Sequence, residues 1–272
     1  MAIRNLIVYG TRPQEIKAYP FSKYDEFKFL FVNQSKDIHE NLFVPDYSCE
    51  ECELEETIKN LEPERVIVFG DTRTALRAAL YGFESGAEIV HVEAGLRTFD
   101  LKSPFPEEGY RQMIDCIATR KYCSRPEAAK ICGGMYVGQN TIDALMEFCG
   151  PITNKGYAVV TVHRTENLQR LPEIVKQIKE YEGELRVFAH PNETGQELKK
   201  YFDTEPPMRY KDFCQLIAGA DLIMTDSGGL QENAIALGKR CIVLRDKSER
   251  EETDVYKPGA TKKIVEDLRR ES

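Results

Sequence analysis

Three carboxylates stand in the sequence at positions suited to proton transfer. Asp71 and Glu93 each directly follow a short apolar run that reads as a buried strand, and Glu107 begins a helical pattern just after Pro106. A carboxylate at the end of a buried strand is partly desolvated, and clustered carboxylates tend to separate into an acid and a base. The pattern favours acid–base chemistry at one edge of a sheet.

Local explanations compete with this interpretation. Asp71 or Thr72 could cap the helix that follows. A spacing of four residues allows an intrahelical salt bridge in two pairs: Glu93–Arg97 and Glu107–Arg111. A salt bridge explains the second pair well, but it leaves the position of Glu93 at a strand end unexplained.

Two helix starts have features that bind anions. In the stretch YGTRPQEIK, Thr11 can cap a helix that carries Arg12 and Lys17. The alternative there is an ordinary surface Arg and Lys. In TDSGG, Ser227 is a natural cap, and Gly228 and Gly229 let a ligand approach the first turn.

The second helix start is suited to a pyrophosphate, and Arg250 lies in a charged stretch further along. A glycine turn that serves packing alone would leave Ser227 and Arg250 incidental. His163 also follows an apolar run, beside Arg164. A structural histidine is the usual alternative, but its place at a strand end favours contact with a ligand.

The elements that must position these residues alternate between strands and helices. Eight apolar runs predict strands: 6–10, 27–32, 65–70, 87–92, 158–162, 185–189, 222–225 and 241–244. Continuous apolar runs that alternate with helices indicate parallel sheets in an α/β fold. A Gly- and Pro-rich stretch at 149–156 predicts two Rossmann-like domains, 1–150 and 151–272, whose sheets face a central cleft.

Composition excludes several classes of function. The formal net charge is -8, which disfavours general nucleic-acid binding. No stretch has the length of a membrane span, and the N-terminus lacks the features of a signal peptide. Eight scattered cysteines predict reduced thiols in a cytoplasmic protein, and the pair Cys49–Cys52 lacks the partners of a metal site.

The ordered set of motifs resembles one family. GTRPQEIK, GDT, HVEAGLRTFD, SPFPEEGYR, TVHRTEN and TDSGGLQENA occur in the order of the non-hydrolysing UDP-N-acetylglucosamine 2-epimerases. The resemblance implies a GT-B fold, a homodimer and no metal or other cofactor. It also implies interconversion of UDP-N-acetylglucosamine and UDP-N-acetylmannosamine by elimination and re-addition of UDP, through 2-acetamidoglucal.

The resemblance assigns roles by position. The acid–base carboxylates are Asp71, Glu93 and Glu107, and the other catalytic residues are Lys17, Arg111 and His163. Residues that bind UDP, including one at the uracil end and one at the ribose, are Arg12, Phe213, Ser227, Gly228, Gly229, Asn233 and Arg250.

The chain departs from the family at several points. It has Tyr110 beside the matched arginine, and Asn233 where the family has a glutamate that contacts the ribose, so we expect weaker binding there. The chain is also shorter than typical members. Members of the family bind a second substrate molecule as activator through a QHR-like segment, and the nearest stretch here is Gln34-Ser35-Lys36. His190, in HPNE, is retained, and we hypothesise lost or altered activation by substrate.

Other activities stay open at this stage. One is the hydrolysing branch, which releases UDP and N-acetylmannosamine, and a nearer variant is epimerisation of a diacetamido uronic acid sugar nucleotide. A GT-B glycosyltransferase would not need three clustered carboxylates. A module that only binds UDP-sugars would not need the matched acid–base positions.

Overall fold

A computed structural model describes residues 3–33, 40–244 and 256–270. The chain forms two compact units, one of Met1–Ala144 with Pro258–Ser272 and one of Leu145–Lys257. Each unit is an α/β structure built on a parallel sheet. In the described part of the chain, no helix is both long enough and apolar enough to cross a membrane.

The sheet of the first unit has seven strands in the order β3-β2-β1-β4-β5-β6-β7. The strands are β1 Asn5–Tyr9, β2 Phe27–Asn33, β3 Tyr47–Glu50, β4 Arg65–Phe69, β5 Glu88–Val92, β6 Arg120–Cys123 and β7 Met135–Tyr136. All neighbouring strands pair in parallel. The order reverses between β1 and β4, and ligands of such sheets bind at the carboxyl ends of the strands beside this point.

Helices cover both faces of this sheet. They are α1 Arg12–Ala18, α2 Leu54–Leu61, α3 Arg73–Glu84, α4 Glu107–Ile117, α5 Pro126–Cys132 and α6 Asn140–Phe148, which continues into the second unit, with 3-10 turns Tyr19–Lys23 and Glu51–Glu53. One core forms between the sheet, α2, α3 and α4, and a second core lies on the opposite face.

The last helix, α11 (Ala260–Arg270), completes the second core of the first unit. Its apolar residues Ile264, Val265 and Leu268 are buried there. The structure therefore differs from the predicted boundary of 151–272, because the end of the chain belongs to the first unit. The reason is the apolar stripe of α11, which covers a sheet face that would otherwise meet water.

The second unit has four strands in the order β11-β10-β8-β9 in its described part. They are β8 Tyr157–Val162, β9 Glu184–Ala189, β10 Leu222–Thr225 and β11 Arg240–Val243, and they pair in parallel. The helices are α7 Leu171–Lys179, α8 Glu193–Leu198, α9 Tyr210–Gly219 and α10 Gly228–Ala236, with a 3-10 turn Thr165–Asn167. The order reverses between β8 and β10.

The eight predicted strands all form, with ends shifted by a few residues at most. Three further strands were missed: β3, β6 and β7. They are short, and β3 and β6 carry charged residues, so neither shows the continuous apolar run on which the prediction relied.

Candidate active site

The turn after β1 brings a lysine to the carboxyl edge of the first sheet. Thr11 caps α1 by accepting a hydrogen bond from the Gln14 N–H at 3.4 Å, as predicted. The buried Gln14 side chain links two strand ends, because it accepts from the Gly10 N–H at 3.0 Å and donates to the Phe69 carbonyl at 3.2 Å. Lys17 then lies in the last turn of α1.

Lys17 and Glu93 form an ion pair. Both side chains are less than one-fifth exposed. Gly70, which has φ +66°, leaves room for this pair, since a Cβ there would lie 3.3 Å from Glu93 Oε2 and 3.5 Å from Lys17 Nζ. The segments that follow β1, β4 and β5 thus come together at this ion pair.

The backbone of Glu93 is unusual. Its φ of +70° is in the left-handed region, which costs a residue with a side chain about 1 kcal/mol. The N–H groups of Glu93 and Ala94 both donate to the Tyr122 carbonyl, at 2.9 and 3.1 Å. This conformation turns the chain directly after β5 and explains why Glu93 has no helical salt bridge to Arg97, which binds Asp115 instead.

Asp71 and Arg111 form a second ion pair beside the first. The cap of α3 is Thr72, which accepts from the Ala75 N–H at 3.1 Å, so the Asp71 carboxylate is left to bind Arg111. Arg111 also lies 3.6 Å from the carboxylate of Glu108. The partners of Arg111 are therefore Asp71 and Glu108, not the residue four positions before it.

Glu107 is the first residue of α4, one turn before Arg111, and is half-buried. Its neighbour Glu108 is fully buried and accepts hydrogen bonds from the N–H groups of Thr98 and Phe99 at 3.1 and 3.3 Å. Burial raises the pKa of Glu108, but these hydrogen bonds and the charge of Arg111 outweigh it, so the pKa lies below its ordinary value. Glu108 anchors the preceding loop.

In the second unit, the turn after β10 begins α10. Ser227 caps this helix by accepting from the Leu230 N–H at 3.4 Å, as predicted. Gly229 is exposed, and a Cβ added there would meet no atom within 4 Å. Packing within the described part of the chain therefore does not require glycine at position 229.

Asp226 binds the residues that follow β8. It is fully buried and accepts from the N–H groups of His163 and Arg164 at 3.0 and 2.9 Å, and from Asn167 Nδ2 at 2.8 Å. The ring Nδ1 of His163 lies 3.0 Å from Asp226 Oδ1. Burial raises the pKa of Asp226, but the contacts with His163, Arg164 and Asn167 hold it below its ordinary value.

The remaining predicted residues are dispersed over both units. Arg12 pairs with Glu40 in the first unit. In the second unit, the Phe213 ring on α9 lies 5.5 Å from that of Phe188, and Asn233 is half-buried on α10. Arg250 and the segment Gln34–Lys36 lie outside the described residues. The hypothesis of altered activation stays a prediction.

Sequence reasoning missed three buried polar residues that support the candidate residues of their own unit. Gln14, Glu108 and Asp226 are all buried, and all bind backbone groups at strand ends or in the loops that follow them. Each lies within a motif whose other residues carry the predicted roles. The available signal was a polar residue at a position that the helical or strand pattern buries, because such a residue needs hydrogen-bonding partners.

Two Rossmann-like units of parallel sheet, with carboxylate–cation pairs at the strand ends of the first, define an α/β enzyme of the GT-B type. Residues 52–260 match the family model described as UDP-N-acetylglucosamine 2-epimerase. The chain belongs to the UDP-N-acetylglucosamine 2-epimerase family.

Individual relatives support this membership. The UDP-N-acetylglucosamine 2-epimerase of Campylobacter jejuni is 30% identical, over 93% of this chain and 84% of the relative. That alignment runs over 320 positions, more than the 272 residues here, so the relative carries segments that this chain lacks.

Two further proteins extend the comparison. The structure of the Methanocaldococcus jannaschii UDP-GlcNAc 2-epimerase with UDP-GlcNAc and UDP superposes with a TM-score of 0.70 at 27% identity, over 98% of this chain and 92% of that chain. A Pseudomonas aeruginosa relative described as UDP-2,3-diacetamido-2,3-dideoxy-D-glucuronate 2-epimerase is 29% identical, over 90% of this chain and 84% of the relative.

Proposed function

We propose that this protein interconverts UDP-N-acetylglucosamine and UDP-N-acetylmannosamine without net hydrolysis. The observation that carries the proposal is the two adjacent ion pairs, Lys17–Glu93 and Arg111–Asp71, at the carboxyl edge of the first sheet. Each carboxylate has its own cation, so each can change its protonation state while a positive charge stays beside it.

The first unit would move the protons at carbon 2 of the sugar. A carboxylate takes the proton from carbon 2 while UDP leaves carbon 1, which gives 2-acetamidoglucal. A second group then protonates carbon 2 on the opposite face, and UDP adds back to carbon 1. We assign these acid–base roles to the set Asp71, Glu93 and Glu107, with Lys17 and Arg111 stabilising charge beside them.

The second unit would hold the UDP group. The start of α10 at Ser227, Gly228 and Gly229 presents free N–H groups and an open approach, which suits a pyrophosphate. His163, fixed by Asp226, is assigned to the same reaction. We also assign Arg12, Phe213, Asn233 and Arg250 to binding of the nucleotide. Retention of UDP between the two half-reactions would prevent hydrolysis.

Deuterium exchange tests the reaction. Incubation of the protein with UDP-N-acetylglucosamine in deuterated water should give both epimers with deuterium at carbon 2, detected by NMR and mass spectrometry. Free N-acetylmannosamine as the main product would instead identify the hydrolysing branch. UDP binding without any exchange would contradict epimerisation and point to a transferase or a binding protein.

A second sugar nucleotide is favoured by the Pseudomonas relative. Its 29% identity is nearly that of the Campylobacter relative at 30%, so identity alone does not separate the two substrates. Both are 2-epimerases by description, and the same groups would act at carbon 2. The family model that matches residues 52–260 is described for UDP-N-acetylglucosamine, so we expect the larger kcat/KM with that substrate. A larger value with the diacetamido uronate would reverse this choice.

We further infer that the protein is a cytoplasmic homodimer. Apolar side chains on neighbouring helices of the first unit support an interface, since Leu80 and Phe83 on α3 and Met113 on α4 are 38%, 55% and 47% exposed. Light scattering should give twice the monomer mass, and Phe83→Glu should reduce it to the monomer value. A monomeric parent protein would contradict the inference.

A further inference from the structure

A buried pair of polar residues, His91 and Asp115, lies next to the strand ends that carry the two ion pairs. His91, in β5 two residues before Glu93, is fully buried, and Asp115 on α4 is 4% exposed. His91 Nδ1 lies 2.7 Å from Asp115 Oδ1, and His91 Nε2 lies 2.8 Å from the Gly70 carbonyl oxygen. Both ring nitrogens of His91 therefore lie within hydrogen-bond distance of an oxygen atom, which links β5 to α4 and to the turn after β4.

The other oxygen of Asp115 binds the far side of the Glu93 turn. Asp115 Oδ2 accepts from the Gly95 N–H at 3.1 Å and from Arg97 Nη2 at 2.6 Å. Burial raises the pKa of Asp115, but the hydrogen bonds and charges of His91 and Arg97 outweigh it and hold the pKa below its ordinary value. One ionised carboxylate therefore connects both strand-end turns to α4.

These contacts lie close in sequence to both carboxylates of the two ion pairs. Gly70 precedes Asp71, and Gly95 follows Glu93 by two residues. On α4, Glu107, Arg111 and Asp115 are spaced four residues apart, so they lie along one face of the helix. Asp115 thus lies on the same face of α4 as Glu107 and Arg111, two of the groups that we assign to chemistry.

We propose that His91 and Asp115 are positioning residues, which hold the turns of Asp71 and Glu93 at fixed places relative to Glu107 and Arg111. This rests on the proposed function for the chemistry that is positioned. The left-handed backbone of Glu93 makes such an anchor necessary, since that conformation persists only where surrounding contacts impose it. Both residues are buried, so we assign them a role through their neighbours and not through contact with substrate.

The test compares Asp115→Asn with Glu88→Gln. Glu88 is a matched control, because it starts β5 at the opposite edge of the sheet and accepts from Arg65 Nε and Arg120 Nε, both at 2.7 Å. An amide at position 115 has one acceptor oxygen and one donor group, so one set of partners must face a donor. We expect kcat to fall about 100-fold with little change in KM, since small misplacement of reacting groups has effects of this size.

Glu88→Gln should lower the urea midpoint in a similar way and leave kcat unchanged. A wild-type kcat in Asp115→Asn, or an equal loss of kcat in Glu88→Gln, would overturn the proposal. If Asp115→Asn does not fold, His91→Asn serves instead, because its amide can keep the contact with Asp115 while the contact with Gly70 is lost. We expect the same fall in kcat from it.

Failure of the proposed function would be seen separately, as absence of exchange at carbon 2 in the unmodified protein. Amide hydrogen exchange then decides the positioning role without any activity. Asp115→Asn should accelerate exchange of the Gly95 N–H far more than Glu88→Gln does. Equal protection of Gly95 in the two variants would refute the anchor.

Discussion

At the scale of single residues, the chemistry depends on which charges face each other. The sequence allowed Glu93 to pair with Arg97 and Glu107 with Arg111, but the structure pairs Glu93 with Lys17 and Arg111 with Asp71. The observed pairs join residues far apart in sequence. Tyr110, which departs from the family pattern, packs against the first core and so has a structural role.

Removing the Glu93 carboxylate should slow the reaction strongly and leave UDP binding unchanged. We expect Glu93→Gln to lower kcat about 1000-fold, the size of effect that loss of an acid–base group produces, with an unchanged Kd for UDP. Carbon-2 exchange and titration calorimetry measure the two effects. Asp46→Asn, which breaks another lysine pair of the same sheet, is the control and should keep full activity; an active Glu93→Gln would refute the assignment.

Asp226 should act through His163. We expect Asp226→Asn to destabilise the protein by about 2 kcal/mol, because a buried charged acceptor with several donors is lost, and to lower kcat. Urea unfolding and exchange kinetics measure these changes. In a His163→Ala background, the same substitution should lower kcat no further; a further loss would mean that Asp226 acts by another route.

At the scale of elements, one glycine in each unit lies at a strand end or a helix start that carries candidate residues: Gly70 after β4 and Gly229 in α10. Gly70 allows the left-handed turn after β4 and leaves space for the Lys17–Glu93 pair. Gly229 lies in the first turn of α10 with open space above it. Alanine substitutions at these positions, each with a matched control, distinguish the effect of backbone strain from the effect of filling the space beside the glycine.

Gly70→Ala should be compared with Gly86→Ala. Both glycines have positive φ, so each substitution should destabilise the protein by about 1 kcal/mol. A Cβ at Gly86 meets nothing within 4 Å, whereas one at Gly70 lies 3.3 Å from Glu93 Oε2, closer than an ordinary van der Waals contact. We therefore expect only Gly70→Ala to lower kcat, as measured by carbon-2 exchange. Equal kcat values would show that the ion pair tolerates displacement.

Gly229→Ala should strengthen the fold and weaken UDP binding. Glycine inside a helix is about 1 kcal/mol less favourable than alanine, so thermal unfolding should occur at a higher temperature. The added methyl group occupies the approach to the helix start, and we expect the Kd for UDP to rise about tenfold, or 1.4 kcal/mol. Gly109→Ala, in an equally open position on α4, should stabilise the protein without changing the Kd. An unchanged Kd in Gly229→Ala would remove the helix start from the UDP site.

At the scale of the whole molecule, several buried or half-buried carboxylates link stability to pH. Hydrogen bonds and neighbouring cations hold the pKa values of Glu88, Glu108, Asp115 and Asp226 below the ordinary range, against the opposing effect of burial. A lowered folded-state pKa contributes stability above the unfolded value, which is about 4, and that stability is lost as pH falls through the folded-state value.

The urea midpoint should therefore change little from pH 7 to about pH 5 on account of these groups, and fall steeply below about pH 4. In Asp226→Asn, the free energy of unfolding should fall less steeply with decreasing pH. The difference in slope should be up to about 1.4 kcal/mol per pH unit, because one titrating proton is removed. Loss of stability that begins well above pH 5 would assign the pH dependence to other groups.

The sequence by itself determined the α/β class, eight strand positions, the caps at Thr11 and Ser227, and the family. These follow from local signals, because apolar runs, turn residues and caps act over a few neighbouring positions. The candidate carboxylates were also found this way, since each stands at a boundary between elements.

Only the tertiary structure decided the partners of those carboxylates and the place of the last helix. Lys17 meets Glu93 because β1, β4 and β5 are adjacent in the sheet, and strand order is not encoded in any one strand. The C-terminal helix joins the first unit because its apolar stripe matches a sheet face formed more than a hundred residues earlier. Contacts between residues remote in sequence depend on the assembled core, which no local pattern specifies.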